Sequence, residues 1–180
     1  MDKVDSYEKL NKPGVWFVKT GQPCTELFKY VYELAVELGL PVVVYSSASK
    51  KEIQNAVIDL IKTKCIENAE NENERDWLEQ EMTEYDNHGF FWYPEELNDF
   101  IPNGFFWNNY VFFDEFKILS FTNSFSHLYL IDNLSELCLD YGSDYSRALS
   151  SIEQEAVEYK KTIIIFVTPN DSYYDSTRDF

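Results

Sequence analysis

Positive charge is scarce in this chain. Against 32 aspartates and glutamates stand 15 lysines and arginines, a formal net charge of -17 and a pI near 4.4. Nucleic-acid phosphates and anionic membranes are bound through positive charge, which releases counterions or meets the negative surface potential. Direct binding to either is therefore not expected, and a basic protein or a metal ion is the more natural partner. Cysteine and histidine are scarcer still. Cys24, Cys65 and Cys138 are odd in number, far apart and without CxxC spacing, and His88 and His127 are the only histidines. This pattern fits reduced thiols in a cytosolic chain and speaks against a disulfide scaffold or a Cys/His zinc site. Long apolar runs are missing as well. Nowhere do about eighteen apolar residues follow one another, and Met1 to Ser6 holds no apolar leader core, so neither a membrane span nor a secretory signal is expected.

What is present suffices for a folded core. With 180 residues, 44% hydrophobic and 17% aromatic, the chain is too apolar for disorder and of ordinary length for one domain. Gly14 to Lys19 reads as a strand closed by a turn. Leu27, Val31, Leu34, Ala35 and Leu38 then recur at helical spacing until Gly39 and Pro41 stop them. Val42 to Tyr45 is a β-branched run suited to a strand buried on both faces, which completes an N-terminal βαβ unit. Ser49 and Glu52 have capping-box spacing and open a helix carrying Ile53, Ala56, Val57, Leu60, Ile61 and Cys65 on one side; past Ile66 the apolar period breaks. Asn109 to Phe113, Lys117 to Phe121 and His127 to Ile131 are closely spaced β-prone runs, read as hairpin strands. Tyr145 to Tyr159 reads as a helix with Ala148, Leu149, Ile152, Ala156 and Val157 inward, and Thr162 to Val167 as a central strand. From Pro169 onward a surface or frayed tail is expected. The expected fold class is α/β: a single domain over 1–180, a mixed sheet with the N-terminal βαβ unit, a central antiparallel strand group and covering helices. The acidic segment 67–99 is expected as a separate helical excursion from that domain.

That segment holds most of the charge excess. Between Glu67 and Asp99 twelve acids face Arg75 alone, a net of minus 11. Such a one-signed field weakens the compact state by repulsion and raises the encounter rate with a cationic partner. It leads into the densest aromatic block of the chain, Phe90 to Phe116, in which Gly89-Phe90-Phe91-Trp92 is echoed by Gly104-Phe105-Phe106-Trp107. Consecutive aromatics on a strand point to opposite faces. A face left uncovered would be an apolar patch of the kind that marks an interaction site.

Catalytic signals are thin. Tyr110 to Glu115, an apolar strand ending in Asp114 and Glu115, resembles a Walker B strand, in which the aspartate holds magnesium and the glutamate orients water. The companion GxxxxGK[ST] loop is missing. Without a nucleotide, Asp114, Glu115 and Asp132 gathered at strand ends would hold magnesium or manganese and serve a phosphodiesterase or nuclease; otherwise no cofactor is expected. Cys24, at the start of the first helix, would have a thiol acidified by the helix dipole, with His88 or His127 as its base. Ser46 to Lys51 follows a strand and opens a helix, a place where a phosphate can be held.

In size, net charge and the Glu67 to Asp99 run, the chain resembles a broad class of small acidic proteins of phages and mobile elements that block restriction or CRISPR nucleases. The resemblance carries no family motif. It implies a non-enzymatic inhibitor in the cytoplasm of a host cell, binding a basic, nucleic-acid-handling enzyme. Glu70, Glu72, Glu74, Asp76, Glu79, Glu81 and Glu84 would stand where phosphates lie, with Trp77, Trp92 and Trp107 as apolar anchors. A toxin-neutralising immunity protein would present the same acid-and-aromatic surface.

Overall fold

The computed structural model describes residues 8–46, 48–77, 79–80, 105–108, 127–137 and 145–180. Among these residues five strands form one sheet: β1 (Gly14–Lys19), β2 (Val42–Tyr45), β3 (Phe105–Asn108), β4 (Leu128–Ile131) and β5 (Thr162–Val167), in the order β1-β5-β4-β2-β3. The α/β class is as expected, but the described sheet is parallel throughout. The central antiparallel group is thereby corrected: β4, read as a hairpin strand, lies between β2 and β5 and parallel to both. The other two expected hairpin strands, 109–113 and 117–121, lie outside the described residues. The reason for the parallel sheet is on the strands themselves. β2, β4 and β5 are buried along their whole length, and strands buried on both faces belong in a parallel sheet with helices above and below. β1 and β2 do run parallel, though not as neighbours, because β5 and β4 are inserted between them.

Helices cover both faces. Helix α1 (Pro23–Val31) continues through a π-helical turn, Tyr32–Glu37, and ends at Gly39, whose φ of +64° is the left-handed conformation that glycine tolerates. Helix α2 (Lys50–Glu67) follows β2; after β4 come the short α3 (Leu134–Leu137) and α4 (Tyr145–Glu158). Side chains alternate along each strand, so the sheet divides its core in two. Val42, Val44, Leu128, Leu130, Ile164 and Phe166 meet Leu27, Val31, Ile53 and Val57 of α1 and α2. On the other face, Val43, Tyr45, Tyr129, Ile131, Ile163 and Ile165 meet Leu134 of α3 and Ala148, Ile152 and Ala156 of α4.

One local expectation is corrected and another narrowed. Val157 is 55% exposed, since the buried stripe of α4 runs through Ala148, Leu149, Ile152 and Ala156 and leaves it on the outer side. Of the two courses expected for the tail it takes the surface one, most of 169–179 being exposed or half-buried, but it is anchored rather than frayed. Tyr173 is buried in the layer of α4, and Phe180, 4% exposed, in that of α1.

Candidate functional site

Neighbouring strands β2 and β4 send their chains to opposite faces, β2 into α2 and β4 into α3 and α4. This is a topological switch point, and in open α/β sheets ligands bind outside the carboxyl ends of the strands at such a point. Ser46 and Asp132 are the residues directly beyond these two strand ends. Both are buried, Asp132 to 3% exposure, and the Ser46 hydroxyl donates a short hydrogen bond to Asp132 Oδ2. The backbone holds the strand ends together as well, with the Asp132 amide donating to the Tyr45 carbonyl at 3.3 Å.

Cys24 opens onto the same place from the first turn of α1. Its thiol is pushed up from the ordinary value, first by burial, then by the negative charges of Asp132 and Glu52, with the Ser46 hydroxyl opposing them. The expected acidified thiolate is thus corrected: two nearby carboxylates oppose a second negative charge. His127 is no base for Cys24, since it precedes the amino end of β4 while Cys24 follows the carboxyl end of β1 in a parallel sheet. His88 lies outside the described residues.

The Ser46 to Lys51 loop spends its polar groups internally. Ser46 Oγ accepts from the Ala48 amide at 3.0 Å. Ser49 Oγ accepts from the Glu52 amide at 3.2 Å, and the Glu52 carboxylate accepts from the Ser49 amide at 2.7 Å, completing the capping box. Hydrogen bonding to the Glu52 carboxylate, from the Ser49 side chain first and then from the Ser49 amide, holds that carboxyl below its ordinary value. These bonds use the amides of Ala48, Ser49 and Glu52; Ser47 lies outside the described residues.

Of the three carboxylates expected to gather, the structure places Asp132 at the switch point; Asp114 and Glu115 lie outside the described residues. Among the described residues, no group of three histidine, cysteine, aspartate or glutamate side chains could hold a metal ion. The Ser46–Asp132 pair was missed by sequence reasoning. Its signal was the four apolar residues Leu128 to Ile131 followed by an acid, the same pattern as 110–114 but on a strand flanked by partners on both sides.

The acidic segment forms the second region. Helix α2 stops at Glu67 as expected, with Asn68 as its C-cap, and helical backbone resumes over 72–77 and 79–80. The restart is capped by sequence. Asn71 Oδ1 accepts from the Glu74 amide at 3.0 Å, and Glu74 Oε2 accepts from the Glu70 amide at 2.8 Å, an arrangement like a capping box with asparagine at the N-cap. Glu70, Glu72, Glu74, Asp76 and Glu79 are all exposed, and among them Trp77 shows 55% of its surface. Glu81, Glu84 and Trp92 lie outside the described residues. Trp107 falls on β3, the outermost strand of the sheet on that side among the described residues.

The fold and these two regions define a class, an open parallel α/β protein with a buried carboxylate at its switch point and an exposed acidic helical segment. Beyond that class, the chain matches no protein-family model and no curated protein. No helix among the described residues is long and apolar enough to cross a membrane.

Proposed function

We propose that the protein is an acidic inhibitor that occupies the basic surface of a nucleic-acid-handling enzyme, such as a defence nuclease. The observation that carries the reading is Trp77, a large aromatic more than half exposed within a helical segment whose acids also face solvent. An exposed tryptophan supplies the apolar anchor of an interface. The surrounding carboxylates steer a cationic partner and fix its register. The capped restart at Asn71 holds the segment in helical form, so its acids are pre-arranged rather than ordered at a cost on binding.

The test is a pull-down from nuclease-treated lysate at low and high salt. Capture of a nucleic-acid-cleaving enzyme, with its activity blocked, is the expected result. Glu70→Lys, Glu72→Lys and Asp76→Lys together should slow association at low salt by at least about tenfold, and Trp77→Ala should accelerate dissociation. Capture indifferent to both changes sinks the reading; capture of a toxin would turn it toward immunity.

One observation favours a second reading, a metal-dependent phosphodiesterase: Asp132 stands at the carboxyl end of a central strand, at the switch point. Magnesium commonly takes one or two protein carboxylates and completes its shell with water and substrate phosphates. Under this reading Asp132→Asn abolishes cleavage of DNA or RNA in magnesium or manganese, and a parent protein inert with both metals ends it.

A further inference from the structure

The outer edge of β1 is already occupied by a segment of the same chain. Asp179 forms a parallel bridge to Phe17, and the Phe180 amide donates to the Phe17 carbonyl at 2.8 Å. Further along the edge, the Val15 amide donates to Glu153 Oε2 at 2.8 Å, and the same oxygen receives Arg178 Nη1 at 3.1 Å. The segment thus behaves as a short sixth strand. Its anchors straddle the edge: Tyr173 packs on the α4 layer, with its ring 5.4 Å from Tyr145, and Phe180 on the α1 layer, 5.9 Å from Tyr30.

Tyr174 adds an edge-on contact to the buried Phe17, ring centroids 6.0 Å apart, and the polar ties of Asp179 lie at the surface. Lys9 Nζ donates to the Asp179 carbonyl at 2.6 Å and the Tyr174 hydroxyl to Asp179 Oδ1 at 2.7 Å, both exposed. Before the segment, the chain closes on itself, with the Thr168 amide and hydroxyl both donating to Asp171 Oδ2 at 2.6 and 3.0 Å. That turn makes a stopping point, so the segment can leave without unravelling β5.

We propose that the β1 edge is a strand-addition site whose ligand is the 173–180 segment, exchangeable for the same segment of a second copy of the chain. Exposed strand edges are templates for added strands, and exchange of identical elements between copies is a low-cost route to association. The occupant is a second copy because the sequence that fits this edge is the chain's own: an aromatic for each layer, with Arg178 placed to reach Glu153.

A fluorescent peptide of residues 173–180 stands in for the second copy. Phe180→Asp in the full chain puts a charge in an apolar site and vacates the edge. The peptide should bind this variant at least about tenfold more tightly than the unaltered chain, whose own tail keeps the edge-open fraction small. A peptide carrying the same change should not bind. Equal binding to both chains, or none to a folded variant, overturns the proposal. A second measurement needs no variant: in the unaltered chain the Arg178 and Phe180 amides should exchange hydrogen by local opening, well ahead of those of Ile163 to Val167. Exchange only in step with that central strand overturns the proposal as well.

Discussion

At the residue scale the Ser46–Asp132 pair shows what buried polarity does in this fold. Asp132 sits at 3% exposure, and a buried carboxylate is tolerated only when hydrogen bonds replace its water; the Ser46 hydroxyl is one such donor. Ser46→Ala removes that donor and leaves the acceptor in place, so a loss of about 1–3 kcal/mol is expected in urea unfolding. The apolar run ending in Asp132 marks one member of the pair, but no local pattern joins it to Ser46, because the two are 86 positions apart and meet only once β2 and β4 are neighbours. Asp175 makes the opposite case, with all its partners nearby. Its carboxylate accepts from the Thr177 amide at 3.0 Å and hydroxyl at 2.8 Å, and these bonds, more than the Arg178 charge, hold its pKa below the ordinary 3.8. A depressed carboxyl contributes stability that is present above its unfolded value and is lost as pH falls through its folded one. The turn Ser176–Arg178 should therefore loosen only below about pH 3.8, seen as faster exchange of the Thr177 amide. Asp175→Ala, which removes the acceptor, should move that loosening to neutral pH.

At the scale of elements, the local signals worked where one stretch of chain decides the outcome. The Ser49 and Glu52 spacing located the start of α2, and both bonds of the box are present. Ser49→Ala should accordingly destabilise the fold by about 0.5–2 kcal/mol, measured as a lower urea midpoint with an unchanged slope. The break after Ile66, the stop at Gly39 and the apolar stripe of α4 were legible for the same reason. The pairing of strands was not. Close spacing along the chain made 127–131 look like part of a hairpin group, yet what decides the direction of β4 is burial on both faces, which only parallel neighbours under helical layers supply. Four consecutive apolar residues, Leu128 to Ile131, carried that information. The same signal marks β2 and β5, whereas the polar residues that precede Leu128 in the sequence suggest a hairpin connection instead. The anchoring of the tail was missed for a related reason: its polar composition concealed that Tyr173 and Phe180 are anchors on opposite layers.

For the whole molecule, the acidic excess and the folded core make opposing demands. A net charge of -17 destabilises any compact state through self-repulsion, and the described acids between Glu70 and Glu79 face outward rather than pairing across the core. Water and salt therefore set how much of that repulsion is felt. The Debye length falls from about 30 Å at 0.01 M salt to about 10 Å at 0.1 M. Added sodium chloride should raise the melting temperature over this range, by about 2–4 °C for each kcal/mol of repulsion screened. The slope tells where the repulsion resides. If it lies in the acidic segment, Glu70→Gln, Glu72→Gln, Asp76→Asn and Glu79→Gln together should flatten the dependence and raise the melting temperature at low salt. A variant as salt-sensitive as the parent would place the repulsion at acids other than these four, including those of residues 144–180, which also carry more acid than base. The first outcome makes the segment a cost in the free protein that a cationic partner relieves, and that relief tightens binding and so enlarges the stabilisation that any ligand of the folded state supplies. Thermal melts with and without the captured enzyme should then show the larger rise for the parent and a smaller one for the neutralised variant.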